Sequence, residues 1–561
     1  MEEVKVYCVN TQAYEFVEMG TTLQQLCQKL KCTSVLAALV DNKLKSLDYK
    51  IINPHNVQFI GYDHPDGRRT YIRSLCFVLQ KVAREMFPDK VLAIDYSLPS
   101  GLYCELRDPK PLDDGRPSVY FVTDEDIEAI HEQMRKIITA DLPFGKTMMS
   151  LEECCRIYEA QHQTEKVSLM KTIGRFNYNV YTLDGQVDTF YGPLIPSTGL
   201  LSTFDLTGFN DGFCLQYPME GDTDKVLPMK RQSKLAMALK EHSDWCSIMG
   251  VRGVGTLNNV VLSGKVVDLI NLSEALHERK YAEIANQIYA RRGSVKIVFI
   301  AGPSSSGKTS TSKRLALQCR ILGLNPRVIE LDNYFVEREL TPRDENGEYD
   351  FEALGAMDLE LLGRQLNELL EGKVVEIPRF DFKEGRKYFE GNFMQLQEKD
   401  ILIMEGIHAL NPAMIPGVDP SKVFRVYASA LTSLSIDENN NISTSDNRML
   451  RRMIRDNRTR GIIPEQTIMR WQSVRRGENR NIFPYQENSD ALFNSAHIFE
   501  LPVLKYYAEP LLRRISPNSP AYSEASRMLK FLDYIVALSP AEIAAIPPTS
   551  ILREFISGQT L

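Results

Sequence analysis

From Val295 onward, short unbroken apolar runs alternate with segments of helical period. The runs are VKIVFIAG from Val295, RVIELD from Arg327, DILIMEG from Asp400 and VFRVYA from Val423. Strands that are apolar throughout, rather than at alternate positions, suit a sheet covered on both faces, and their alternation with helices predicts a parallel α/β fold over residues 293–510. Upstream the pattern is different. Apolar positions at Val4–Val9, Val35–Val40 and Val57–Ile60 read as strands around a helix at Thr22–Leu30, a compact α+β module over residues 1–63. Residues 64–225 predict a second α+β unit, with helices at Leu75–Met86 and Asp124–Ile138 and a glycine-bearing strand near Leu98–Cys104. The stretch 226–292 is rich in Lys, Glu, Ala and Leu, is interrupted by Gly250, Gly253 and Gly255, and predicts a helical connector. The polar run Asp437–Asp446, with three consecutive Asn residues, reads as an exposed loop before an arginine-rich helix, and residues 511–561 as a C-terminal helical extension that turns Pro-rich. There is no internal repeat.

A chain of 561 residues implies two to four cores. With 43% hydrophobic and 25% charged residues, disordered, fibrous and membrane-spanning classes are excluded. The net charge of -7 supplies no overall attraction to nucleic acid, so an RNA contact would need a local patch. The ten cysteines include no C-x-x-C pair, and the adjacent Cys154 and Cys155 are poorly placed for a disulfide or a metal, so all are expected to be reduced. The start MEEVKVYCVN carries no signal-peptide pattern and no apolar stretch reaches membrane length, so a cytoplasmic location without membrane partners is expected.

Gly302-Pro303-Ser304-Ser305-Ser306-Gly307-Lys308-Thr309 fits G-x-x-x-x-G-K-[ST] and lies between an apolar run and a helix, the context in which the motif binds phosphate. Its glycines let successive N–H groups face phosphate oxygens, Lys308 neutralises the transferred group, and the Thr309 hydroxyl suits Mg²⁺, so ATP and Mg²⁺ are the expected cofactors. Two carboxylates follow at the carboxyl ends of later strands, where open parallel sheets bind ligands. Asp332 is assigned as the base that orients or deprotonates an attacking hydroxyl, and Glu405 as the metal partner; the plainer alternative for each is a capping or turn carboxylate. Arg448, Arg451, Arg452, Arg455 and Arg458 recur at helical spacing opposite Met449, Leu450, Met453 and Ile454. Such a helix can close over a triphosphate, with Arg451, Arg452 and Arg455 binding the nucleotide and Arg455 joining Asp332 and Lys308 in catalysis, or it is simply a solvated basic face. His408, just after Glu405, reads as a packed histidine.

Taken together, the segment from about Val295 to Pro510 resembles the uridine kinase and phosphoribulokinase family. The resemblance rests on G-P-S-S-S-G-K-T, L-D-N-Y-F at Leu331–Phe335, E-G at Glu405-Gly406, and R-x-x-R-R-x-x-R-D-x-x-x-R-G from Arg448 to Gly461. It implies that Asp332 activates a nucleoside 5′-hydroxyl, that Thr309 and Glu405 serve Mg²⁺, and that the arginine helix is a lid over ATP. The acceptor contacts it implies are Asp332, Tyr334, Asp350 or Glu352, Phe380, Arg386 and Arg460. In Pro378-Arg-Phe-Asp-Phe382, Phe380 replaces the family's base-contacting tyrosine, Gly385 stands where a base-reading histidine is often found, and Ile462 replaces the arginine after Arg460-Gly461. A site without hydrogen bonds to a base edge discriminates poorly, so phosphorylation of another small alcohol or polyol stays open.

Residues 1–225 resemble the amino-terminal part of threonyl-tRNA synthetases, a TGS domain at 1–63 followed by the editing-like domain at 64–225. The histidine- and cysteine-bearing motifs of those enzymes correspond here to Arg73-Ser-Leu-Cys-Phe77 and Asp188-Thr-Phe190-Tyr-Gly-Pro-Leu194. All four ligand positions are lost, so no zinc and no editing chemistry is expected. A nucleotide-switched RNA- or ribosome-binding regulator is the reading from another class; RNA contact through this half lacks the basic-aromatic stripe that would mark it. Oligomeric state is left open.

Overall fold

The computed structural model describes residues 3–226, 228–230, 232–343, 347, 349–381, 383–415 and 417–561. The alternating runs after Val295 form one five-stranded sheet in the order Asn325–Glu330, Asp400–Glu405, Ile297–Ala301, Val423–Ser429, Ala491–Asn494, all neighbours parallel. One face packs on Leu315 and Cys319 of the helix Lys308–Ile321 and on Tyr281 and Ile288 of the helix Val266–Ala290. The other packs on Leu362 and Leu366 of the helix Leu359–Leu370, with Tyr334 and Met357. The central strands Ile297–Ala301 and Asp400–Glu405 are buried at every position, which is why they read as unbroken apolar runs. The edge strand Ala491–Asn494 was not apparent in the pattern, being only 4 residues long and half-buried.

The first sixty residues form a mixed sheet in the order Ala13–Glu18, Glu3–Cys8, His55–Ile60, Ala37–Val40, Lys43–Lys45. A helix at Leu23–Lys29 packs on it, held at its start by reciprocal Thr22 and Gln25 hydrogen bonds. The next helix spans Pro65–Met86 and starts well before Leu75, because its first turns bury Asp66, Thr70, Arg73 and Ser74 and so mask the apolar period. It covers an antiparallel sheet in the order Asp205–Phe209, Gly212–Gln216, Gly101–Arg107, Val91–Leu98. Three helices follow at Ser233–Ile248, Val254–Leu262 and Val266–Ala290. Among the described residues no helix is long and apolar enough to cross a membrane.

The expected loop at Asp437–Asp446 is instead the seam of the molecule. Strands Ser435–Asp437 and Asn440–Asn441 form a small hairpin, and Asp437, Asn439 and Asn440 are buried. Their polar groups meet backbone of the N-terminal half. The Ile94 N–H donates to the Glu438 carbonyl (2.8 Å), and Asn439 donates to the Leu92 carbonyl (2.9 Å) while accepting from the Gln163 amide (2.7 Å). The Glu438 carboxylate accepts from the N–H groups of Glu165 and Lys166 (2.8 and 3.2 Å), capping the helix Thr164–Ile173 from outside. Polarity here marks satisfied burial rather than exposure. The C-terminal helix Tyr522–Leu532 adds a second tie: Glu524 accepts from Arg69 (2.7 Å), and Arg527 donates to both Asp446 oxygens (2.8 and 2.7 Å).

Asn439→Ala leaves the Leu92 carbonyl and the Gln163 amide unpaired in the seam, and is expected to lower stability by about 2 kcal/mol. The urea midpoint measures this, and a variant indistinguishable from the parent would show that the seam is not closed.

Candidate active site

The strand Ile297–Ala301 runs directly into Gly302, where a Cβ would collide with the Ala428 carbonyl oxygen and the Ser306 hydroxyl. Ser305 and Gly307 both have positive φ (60° and 81°), which turns the loop into the helix Lys308–Ile321. The outer side of this loop is fastened by side chains. Arg448 Nε donates to the Ser304 carbonyl (3.0 Å), Arg451 Nη1 to the Ser305 carbonyl (3.4 Å), and the Ser495 hydroxyl to the Ser306 carbonyl (2.5 Å). Arg452 Nη1 reaches the Ser304 hydroxyl (3.0 Å), while Glu478 accepts from the Ser304 N–H (3.0 Å).

This changes the reading of the arginine helix, Thr444–Arg460. Arg448 and Arg451 are fully buried, paired with Glu478 and Glu500, so Arg451 supports the phosphate loop from behind instead of facing a triphosphate. The helix packs among Pro464–Asn481, Glu500–Leu512 and Arg553–Ile556, so its first half is a wall and not a hinged lid. Its second half carries the more open cations. Asp456, 1% exposed, accepts from Arg452 (3.3 Å) and Arg455 (3.1 Å) and pairs with Arg460 (3.4 Å), gathering three guanidinium groups. The aspartate stood inside the quoted arginine motif, but spacing alone gave it no role.

Parallel register places the acids together. Glu405 is level with Ile300 on one side and Glu330 on the other, and Asp332 follows one residue beyond Leu331 in a short turn. The Thr309 hydroxyl donates to Glu405 Oε1 (2.6 Å). Burial drives the Glu405 carboxyl up to about 7; Lys308 and Thr309 oppose the rise, and the charges of Asp332 and Glu330 add to it. Asp332 is likewise raised by burial, against the opposing pull of Lys308, Arg460 and Arg455. Glu405 and Asp332 thus share the Lys308 ammonium, a field that favours a divalent cation. Among the described residues no three His, Cys, Asp or Glu side chains could hold a metal by themselves. A hydroxyl and one carboxylate fit Mg²⁺, which keeps waters and binds through substrate phosphates.

On the acceptor side the expected residues divide. Tyr334 is buried in the core, its hydroxyl donating to Gln365 (2.8 Å), and is not open to a ligand. Asp350 is half-buried, 4.0 Å from Arg480. Glu352 lies against Gly477, its carboxyl raised by burial and held down by Arg452. The Phe380 ring lies tilted against that of Phe335 at 5.8 Å, and the Phe380 N–H donates to Asn333 (3.2 Å); Arg386 is exposed on the partner strand of the same hairpin. At Gly385, with φ of 71°, the space for a side chain is filled by Arg338. Phe382 lies outside the described residues. His408 is buried and stays neutral, its pKa lowered to about 4 by burial.

The C-terminal segment, to which no site role was expected, closes on the phosphate loop. Ile551 covers Gly307, and Glu554 accepts from the Ser310 hydroxyl (2.6 Å), to which Gln559 also donates (2.7 Å). In the N-terminal half the four former ligand positions are packed. Arg73 donates to the Pro193 carbonyl (2.5 Å), Phe77 meets Phe190 edge-on at 5.2 Å, and Leu194 is in the core.

Residues 297–500 match the model of the Phosphoribulokinase / Uridine kinase family, and this part of the chain is a domain of that family. The amino-terminal half is similar to threonine–tRNA ligases; that of Desulforamulus reducens is 26% identical over 192 residues, 34% of this chain and 29% of the ligase. The chain therefore spans less than a third of that ligase's length. Among solved structures, one described as a possible uridine kinase from Bacillus stearothermophilus covers 36% of this chain and 89% of its own (18% identity, TM-score 0.24). D-glycerate 3-kinase from Cryptococcus neoformans covers 46% and 87% (14% identity, TM-score 0.23).

Burial pushes the Glu405 carboxyl up to about 7 from its usual 4.5, so between these values the folded chain holds a proton that the unfolded chain has lost. Stability without Mg²⁺ then falls as pH rises through this window, and Glu405→Gln is expected to remove about 2 kcal/mol of that fall between pH 5 and 7.5. Urea denaturation at the two pH values measures it; equal slopes for variant and parent would contradict the assignment.

Proposed function

We propose that the chain is an ATP-dependent kinase that transfers the γ-phosphoryl group to the 5′-hydroxyl of a nucleoside. The observation that supports it is the convergence of Lys308, the Thr309–Glu405 pair and Asp332 at the mouth of one phosphate loop. Asp332, its proton affinity raised by burial, accepts the hydroxyl proton as the acceptor oxygen bonds to phosphorus and the bond to ADP breaks. Lys308 neutralises charge on the moving group, and Arg452 and Arg455, steadied by Asp456, supply cations to the same charge. Thr309 and Glu405 would hold Mg²⁺, which when bound neutralises the phosphates of the donor.

A second reading is favoured by Arg338 filling the space at Gly385 and by Phe380, which offers no side-chain hydrogen bond to a base edge. On that reading the acceptor is a small sugar or polyol.

ADP release with Mg²⁺ and ATP, screened across nucleosides, sugars and polyols with the product identified by mass spectrometry, separates the two. Lys308→Ala and Asp332→Asn are each expected to lower kcat about a hundredfold or more, with Asp332→Asn retaining ATP binding. Turnover of sugars alone would move the assignment to the second reading. Full activity in Lys308→Ala would end both.

A further inference from the structure

A cavity of about 520 Å³ opens far from the phosphate loop, where the N-terminal strand Lys43–Lys45, the strand Gly145–Ser150, the seam hairpin and the helix Tyr522–Leu532 meet. Lys43, Lys45, Lys146 and Lys530 line it from three separate segments. Among the described residues none of these four has an ion-pair partner. Asp48, Asp437 and Asp533 also line the cavity, and each has a partner in its wall. Asp533 pairs with Arg175 (3.8 Å), Asp188 and Asp437 with Lys166, and Asp48 accepts from the Ser46 hydroxyl. Arg73, on the far side of Gly192, is spent on the Pro193 carbonyl (2.5 Å).

The lysines feel one another. Lys45 is lowered by burial and then by Lys43 and Lys146; Lys530 is lowered by burial and then by Lys43, Lys45, Arg73 and Lys146. Like charges brought together without a counterion cost stability, and such a cost is common where a site is kept for a ligand. Tyrosines stand among the lysines: Lys45 lies 4.7 Å over the Tyr49 ring, Lys146 lies 5.8 Å from that of Tyr181, and Tyr191 and Tyr534 also line the cavity.

We propose that this cavity binds a small nucleoside phosphate, the four lysines taking the phosphate and the tyrosine rings the base. Cations set beside tyrosine rings in one cavity match a ligand that joins an anionic group to a planar one, and the volume suits one molecule of that size. A longer nucleic acid would need the basic surface to continue beyond the cavity, and the chain is acidic overall at -7. The site is separate from the phosphate loop, and Asp437 and Asn440 of its wall belong to the hairpin that leads into the arginine helix.

The test is calorimetric titration of full-length Lys308→Ala protein, which weakens the phosphate loop, with AMP and UMP as probes against adenosine and uridine. One monophosphate is expected to bind once per chain, to bind more tightly than its nucleoside, and to weaken about tenfold or more when Lys45→Gln and Lys146→Gln are added. Without ligand, the lysine-substituted protein is expected to melt at or above its parent temperature. The proposal is overturned if neither monophosphate binds, if the lysine substitutions leave binding unchanged, if they lower the melting temperature, or if a short single-stranded RNA binds the cavity more tightly than either monophosphate.

Discussion

Two ion pairs buried behind the phosphate loop hold the catalytic half in its shape. Arg448 with Glu478 and Arg451 with Glu500 are closed off from water, and each guanidinium spends a remaining N–H on a carbonyl of the loop itself. Carbonyls held from the outside cannot turn into the concavity, which fixes the course of the loop backbone around it. Removing one partner of such a pair leaves an unpaired charge in low dielectric and costs about 3–5 kcal/mol, whereas the pair as a whole gives little net stability. What the pairs supply is the direction of the loop.

The same helix connects this constraint to the rest of the chain. Its N-terminal end receives Arg527 through Asp446 and follows the seam hairpin, whose Glu438 and Asn439 are bound to the N-terminal half. Its C-terminal end gathers Arg452, Arg455 and Arg460 on Asp456, and Arg458 donates to the Glu554 carbonyl (2.8 Å) of the tail that packs on Gly307. Both ends of the chain therefore bear on one element. The N-terminal half and the tail are part of what keeps the phosphate loop in place, even where no residue of theirs touches a reacting atom.

How far this was legible follows from what kinds of pattern a sequence carries. The parallel strands were readable because burial on both faces leaves unbroken apolar runs, and the phosphate loop because its glycines and lysine have fixed spacing. The seam was misread because Asp437, Asn439 and Asn440 carry the composition of a loop, and only three-dimensional pairing shows where their hydrogen bonds go. Arg451 and Tyr334 were misplaced for a related reason: helical spacing and motif order say that residues share a face, but not whether that face meets solvent, a ligand or a buried glutamate. The packing of Ile551 and Glu554 against the loop left no local signal, since contacts across some 240 residues of chain leave no periodicity.

The charges at the strand ends explain why the site needs its ligands. Burial raises the carboxyls of Glu330, Asp332 and Glu405, Lys308 opposing the rise at Asp332 and Glu405 and Lys313 at Glu330. Glu405 accepts from the Thr309 hydroxyl, and burial raises its carboxyl to about 7. Thr309 and Glu405 would hold a divalent cation, which would supply the positive charge these acids lack. Asp332 lies in the same field, raised by burial and opposed by Lys308, Arg460 and Arg455. Burial thus sets Glu405 and Asp332 against the one ammonium of Lys308, and the proposed roles of Glu405 toward Mg²⁺ and of Asp332 as base both draw on that excess of negative charge.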